Sequence, residues 1–251
     1  MKKKKKQDLS FLTFILMLLS AGLVFFLLTL AGNMVSYYIQ QSQVTTTQIQ
    51  STTINDQVQL LATRQKITEA NVFIQVDFEG GHEIGSGTII LVDQEYYYAI
   101  TNYHNIDGNN NNITSFEITT FDGVSSDFEV LAFSQIQDLA LLKFTRENRA
   151  IISPLNKSTT TINPSDIVIA IGNPYGYVGM ITYGVMQRYT VLNELEITRS
   201  VIEHDAILFN GSSGGALVDK NGNLIGINSW ELNGLFYAIP ITVINTFLEN
   251  I

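Results

Sequence analysis

The chain has 251 residues, 45% of them apolar and only 15% charged, enough for a large domain with a substantial core. It has no cysteine, which excludes disulfides and thiolate metal sites, and its three histidines are not clustered, which argues against zinc; no metal and no cofactor is expected. The net charge of −9 hides a basic block at Lys2 to Lys6. Beyond residue 32, nine basic residues face 22 acidic ones, and a body this acidic is a poor nucleic-acid binder.

The block Lys2 to Lys6 lies in a basic tail, residues 1–10. From Phe11 to Gly32 follow 22 residues without a charge. At about 1.5 Å per residue such a helix spans the roughly 30 Å hydrocarbon layer, and the lysines ahead of it keep the amino terminus cytoplasmic. Residues 11–32 are therefore predicted to be a single-pass signal-anchor in the cell membrane, with the rest of the chain outside the cytoplasm. Thr29-Leu30-Ala31 also offers a signal-peptide cleavage pattern, but the apolar run is longer than such peptides carry. Residues 33–69 are rich in Gln, Thr and Ser and read as a polar linker or stalk. Val44, Ile49, Ile54, Val58 and Leu61 permit a weakly amphipathic helix there, although a flexible spacer is the simpler expectation.

From about residue 70 to 251, short β-type runs alternate with turn signals. "NVFIQVDF" is followed by a turn over "EGGHEIGSG", then by "TIILV" and "YYYAIT". Further runs are "FEITTF", "FEVLAF", "LALLKF", "DIVIAIG", "GMITYGVM", "AILF", "GALVD", "LIGINSW" and "LFYAIP". Only the closing "ITVINTFLENI" has helical spacing. The pattern indicates an all-β antiparallel sandwich or barrel.

Three places carry chemistry. His104 opens a polar loop after "YYYAITNY". Asp138 leads into the apolar run "LALLKF", where an unpaired carboxylate would be costly to bury. Ser213 stands in "NGSSGGAL", where glycine lets the main chain reach a substrate and the N–H groups of Gly211, Ser212 and Ser213 are the candidate oxyanion donors. Each alone has a plain reading: an exposed histidine, a turn aspartate, a glycine-rich turn. Their order, His then Asp then Ser at the edges of β-segments, is that of one known triad solution. In it His104 would take the Ser213 proton and Asp138 would hold the imidazole. His82 reads as a surface-turn residue. His204 reads as non-catalytic, since His204 and Asp205 would point to opposite faces of a strand.

On "TNYH", "DLALLK" and "GSSGGAL", with "GSGTII", "AIGNPYG", "NGNLIGIN" and "FYAIP" in order, residues 71 to 246 resemble the trypsin-like serine proteases of the HtrA/DegP family. The resemblance implies two six-stranded antiparallel β-barrels with the active site between them, His104 and Asp138 from the first and Ser213 from the second. It also implies exported, unfolded or damaged polypeptide substrates and a homotrimer. In this fold the residue six before the serine lies at the base of the specificity pocket. That residue is Ile207, so cleavage after small or medium aliphatic residues is expected. Ile227, Asn228 and Ser229 would form the strand that pairs with substrate, with Trp230 at its rim. Ser212 stands where the family usually has Asn, and Asn210-Gly211 where it has Pro-Gly. The family's PDZ domain does not follow, so regulation is expected from loops or assembly. A peptide-binding or chaperone-like module using the same cleft with little turnover is the alternative.

Overall fold

The computed structural model describes residues 54–251 apart from 109–111, 147–150 and 195–196, together with residues 28, 29, 32, 33 and 36. The apolar segment 11–32 and most of the linker lie outside the described residues. Among the described residues no helix is long and apolar enough to cross a membrane. Contacts divide the chain into Met1–Gln57 and Val58–Ile251, and among the described residues the strands lie in the second unit.

Six strands close the first barrel: β1 (Asn71–Phe78), β2 (Gly81–Val92), β3 (Tyr96–Thr101), β4 (Ile113–Thr119), β5 (Ser125–Ser134) and β6 (Leu139–Thr145), in the order β1-β2-β3-β6-β5-β4. In β1, Val72, Ile74 and Val76 alternate into the interior and are fully buried, while Gln75 and Asp77 face outward. The second barrel takes β7 (Ile167–Gly172), β8 (Met180–Glu194), β9 (Ile197–His204), β10 (Ala216–Asp219), β11 (Leu224–Leu232) and β12 (Leu235–Pro240). It closes as β7-β8-β9-β12-β11-β10, the same path six strands later, and every pairing in both barrels is antiparallel. In β7, Val168 and Ala170 face the second barrel's interior, while Ile169 and Ile171 join the larger core shared with the first barrel. Burial on both faces is why β7 reads as an unbroken apolar run.

Helix α1 (Ile54–Ala70) precedes the barrels and α2 (Ile241–Glu249) follows them. Thr63, Ile67 and Ala70 of α1 are buried, three or four residues apart on one face. Residues 58–69, read from sequence as the end of a linker, therefore belong to the folded unit.

Three local expectations change. The turn expected over residues 79–87 is only Glu79-Gly80, and β2 already starts at Gly81, so His82 sits in a strand opposite Asp77. "AILF" is not a strand, because the chain leaves the sheet after His204. β9 was not foreseen. Its charged residues mask the pattern, since Glu203 lies in the sheet as the partner of Arg188 of β8 at 3.0 Å.

Candidate active site

β3 runs straight into a single 3₁₀ turn, Tyr103–Asn105, which carries His104. Asn102, fully buried, anchors the start of that turn by donating from Nδ2 to the Asp138 carbonyl at 3.0 Å. Asp138 lies in the β5–β6 turn with φ +54°, a left-handed conformation uncommon for a residue with a Cβ. There its side chain is 6% exposed and its carboxylate collects several donors. The His104 main-chain N–H reaches Oδ1 at 3.1 Å, His104 Nδ1 reaches Oδ2 at 2.9 Å, and the Ser229 hydroxyl reaches Oδ2 at 2.8 Å. A carboxylate only accepts, so in the neutral ring Nδ1 carries the hydrogen and Nε2 keeps its lone pair.

Burial pushes the His104 pKa down, but the Asp138 hydrogen bond and charge push it up, helped by Glu83 and Asp107. The rise prevails over the usual 6.5. The imidazole side chain is 42% exposed, open to a ligand on one side.

Ser213 is held by the first barrel although it belongs to the second. Its carbonyl accepts from the Ser86 N–H and from Asn105 Nδ2, each at 2.8 Å. Ser86 Oγ donates to the Gly211 carbonyl at 2.7 Å and accepts from the Asn173 N–H at 2.8 Å, and Thr88 Oγ1 donates to the Gly214 carbonyl at 3.2 Å. Gly211 and Gly214 have φ of +96° and +87°, and a Cβ on Gly214 would collide with the Ser86 carbonyl. The turn thus requires glycine both for its angles and for its closeness to β2.

Around this turn three amides are already used. Ser212 N–H donates to Phe209 O, Gly214 N–H to Asn228 O and Gly215 N–H to Ser212 O. Among the described residues, the N–H groups of Gly211 and Ser213 have no acceptor. Of the three candidate donors expected from sequence, the Ser212 amide is already used.

The structure brings His104 and Asp138 into direct contact, and Ser213 reaches them through Ser229. The Ser213 hydroxyl donates to the Ser229 carbonyl at 2.8 Å, while the Ser229 hydroxyl bonds Asp138. No hydrogen bond joins Ser213 to His104 among the described residues. A hollow of about 180 Å³ beside Ser213 is lined by Tyr175, Leu208, Phe209, Asn210, Trp230 and Glu231, with Ser213 and Ser229 at its edge.

Ile207 is not among its walls. It is 52% exposed, and its carbonyl accepts from Thr182 Oγ1 at 2.9 Å. The resemblance placed Ile207 at the pocket base; here the chain is irregular after Ala206 and Leu208 lines the hollow beside Ser213. Ile227 and Asn228 are likewise committed to the barrel. Ile227 pairs with Ala216 and Ile239, and Asn228 exchanges main-chain bonds with Gly214 and Gly215. Of the expected pairing strand, only Ser229 borders the hollow, with Trp230 and Glu231 beyond it.

Sequence reading missed Ser86, Asn105 and Asn173 as supports of the serine turn. Among the described residues no group of three or more His, Cys, Asp or Glu side chains is placed to hold a metal ion.

The trypsin-like peptidase domain family matches residues 85–227. A probable periplasmic serine endoprotease, DegP-like, of Buchnera aphidicola subsp. Baizongia pistaciae is 33% identical over 179 residues, which cover 68% of this chain and 37% of that protein. The magnetosome formation protease MamE of Magnetospirillum gryphiswaldense is 34% identical over 167 residues, 64% of this chain and 21% of that protein. The chain thus spans little more than a third of the first relative's length. Among solved structures, the serine endoprotease from Yersinia pestis superposes with a TM-score of 0.63 at 26% identity, covering 75% of this chain and 64% of that one. A protease of M. tuberculosis in its active form gives 0.65 at 19% identity, covering 74% and 82%, a likeness of fold.

Proposed function

The chain belongs to the trypsin-like serine peptidases of the HtrA kind, and from that premise we propose that it is a serine endopeptidase acting on exported polypeptides. The observation that carries this reading is the junction of the barrels, where an Asp138-held imidazole and the Ser213 hydroxyl flank two main-chain amides without acceptors.

In the proposed reaction the substrate lies along Ser229–Glu231 with a small or medium apolar side chain in the hollow bounded by Leu208. Ser213 leaves the Ser229 carbonyl and turns to His104 Nε2. The imidazole takes its proton as the oxygen attacks the scissile carbonyl. Asp138 holds the tautomer and stabilises the imidazolium. The Gly211 and Ser213 N–H groups receive the developing negative charge, each worth roughly 3 kcal/mol in the transition state. The protonated His104 then passes its proton to the leaving amine, and water repeats the sequence on the acyl-enzyme. Anchoring through residues 11–32, a trimeric assembly, and unfolded or damaged proteins as substrates belong to the same proposal by resemblance.

One observation favours a second reading, a peptide-binding module with little turnover: the Ser213 hydroxyl is bonded to Ser229, not to His104. A fluorophosphonate probe separates the two. Labelling of Ser213 that disappears in Ser213→Ala supports the peptidase. Folded protein that stays unlabelled with peptide present supports the binding module.

A further inference from the structure

Asn105 follows His104 directly, yet the mechanism above assigns it nothing. Its residue is 5% exposed, and its amide nitrogen spends both hydrogens: one on Thr101 Oγ1 at 3.0 Å, the other on the Ser213 carbonyl at 2.8 Å. The second bond joins residues 108 apart in sequence and passes from the first barrel to the serine turn. Among the described residues it is the one hydrogen bond from the 3₁₀ turn of His104 to Ser213, for His104 itself makes none.

We propose that Asn105 is a positioning residue that sets the imidazole of His104 and the hydroxyl of Ser213 in register across the barrel junction. The Ser213 carbonyl has two lone pairs, and they are taken by two unlike supports. Ser86 N–H is main chain from β2, and by itself it leaves the serine peptide free to pivot about one bond. Asn105 adds a second point that belongs to the turn bearing the histidine, so the two candidate reacting groups share one strut. The amide has no spare room to swing away. A Cβ on Gly85 would stand 2.5 Å from Asn105 Cγ and 2.6 Å from Nδ2. A misplacement of about 1 Å at reacting atoms costs on the order of 10²-fold in rate.

This role rests on the serine-peptidase reading, and the test is built to keep the two apart. Asn105→Leu keeps the volume and removes both donors. Rates are normalised to active sites titrated with a fluorophosphonate, so that loss of folded protein does not enter. The expected result is a fall of roughly 30-fold in kcat with KM within about twofold. The acid limb of the pH profile should not move, because Asp138 still holds His104. Gly85→Ala leaves the chemistry of Asn105 intact but displaces its amide. It should lower kcat in the same way, and the two substitutions together should cost no more than the larger alone. Wild-type kcat per titrated site in Asn105→Leu, even with a lower melting temperature, makes Asn105 a packing residue and overturns the proposal. If Asn105→Leu does not fold, unchanged kcat in Gly85→Ala overturns it equally. Activity surviving in Ser213→Ala would instead remove the peptidase reading itself.

Discussion

Each barrel carries a histidine near its edge, half-buried in the first and fully buried in the second, and the two sit in opposite electrostatic settings. His104, in the first barrel, has its Nδ1 on Asp138, and its pKa is raised. His204 ends β9 in the second barrel, fully buried against Phe236 at a ring separation of 6.3 Å, with neither ring nitrogen hydrogen-bonded. Burial, only partly offset by Asp205, lowers its pKa to about 4. The strand order is common to both barrels, so topology does not set this difference. The contrast lies in the ring contacts: a carboxylate is hydrogen-bonded to the His104 ring, whereas Asp205 acts on the His204 ring by charge alone.

The largest expected effect breaks the first side of this comparison. His104→Ala and Ser213→Ala should each lower kcat by roughly 10⁴-fold or more, measured on an unfolded protein substrate. In the intact protein kcat/KM should fall as the pH drops. Its half-point should lie above 6.5, because the base must be neutral and its pKa is raised. A flat acid limb, or near-normal turnover in folded His104→Ala, removes the assigned base.

The next effect sharpens the second side. The folded pKa of His204 lies below the unfolded value, so the unfolded chain binds the proton first. Stability from the neutral ring is complete above about pH 6.5 and is lost as the pH falls toward 4. The loss amounts to about 3 kcal/mol over that window. Denaturant titrations at pH 7 and pH 4.5 should show it in the wild type and show it reduced in His204→Leu. Equal acid sensitivity in the two proteins would mean that the ring is not the source.

Legibility in the sequence differs from strand to strand. β1, β3 and β6 could be read because their apolar residues alternate or run unbroken. β9 could not, since Arg199 and Glu203 interrupt it, and the pairing of Glu203 with Arg188 shows only once β8 lies alongside. His104, Asp138 and Ser213 were visible because each stands in a local motif. Ser86 and Asn105 were not, because their partners on the serine turn lie 125 and 108 residues away. A contact made by chain closure leaves no local pattern. Ile207 was expected at the pocket base from the resemblance, and it lies outside the hollow beside Ser213, in a segment that is irregular.

Support for the serine turn from the first barrel gives a third prediction. Ser86→Ala removes the donor to the Gly211 carbonyl and the acceptor of the Asn173 N–H. Leaving such groups unmatched should lower unfolding stability by about 2 kcal/mol. The first barrel, which keeps its own ladder, should retain its hydrogen-exchange protection while the 205–215 segment loses some. Uniform loss across both barrels would mean that the link is not specific to the turn.

The smallest effect separates two neighbours that sequence alone could not rank. Leu208 lines the hollow beside Ser213, whereas Ile207 points half its surface to solvent and contributes only a carbonyl to Thr182. Losing methylenes from an apolar pocket changes discrimination by about 1–3 kcal/mol, so Leu208→Ala should shift the preferred residue before the cut toward larger side chains by roughly tenfold in relative kcat/KM. Ile207→Ala keeps the main-chain bond to Thr182 and should leave the cleavage profile within about twofold, as surface truncations do. Profiling both variants on one unfolded substrate decides the matter. A profile that moves with Ile207 and not with Leu208 would put the pocket wall back where the count from Ser213 placed it. It would also mean that the irregular stretch after Ala206 adopts another path when a substrate is bound.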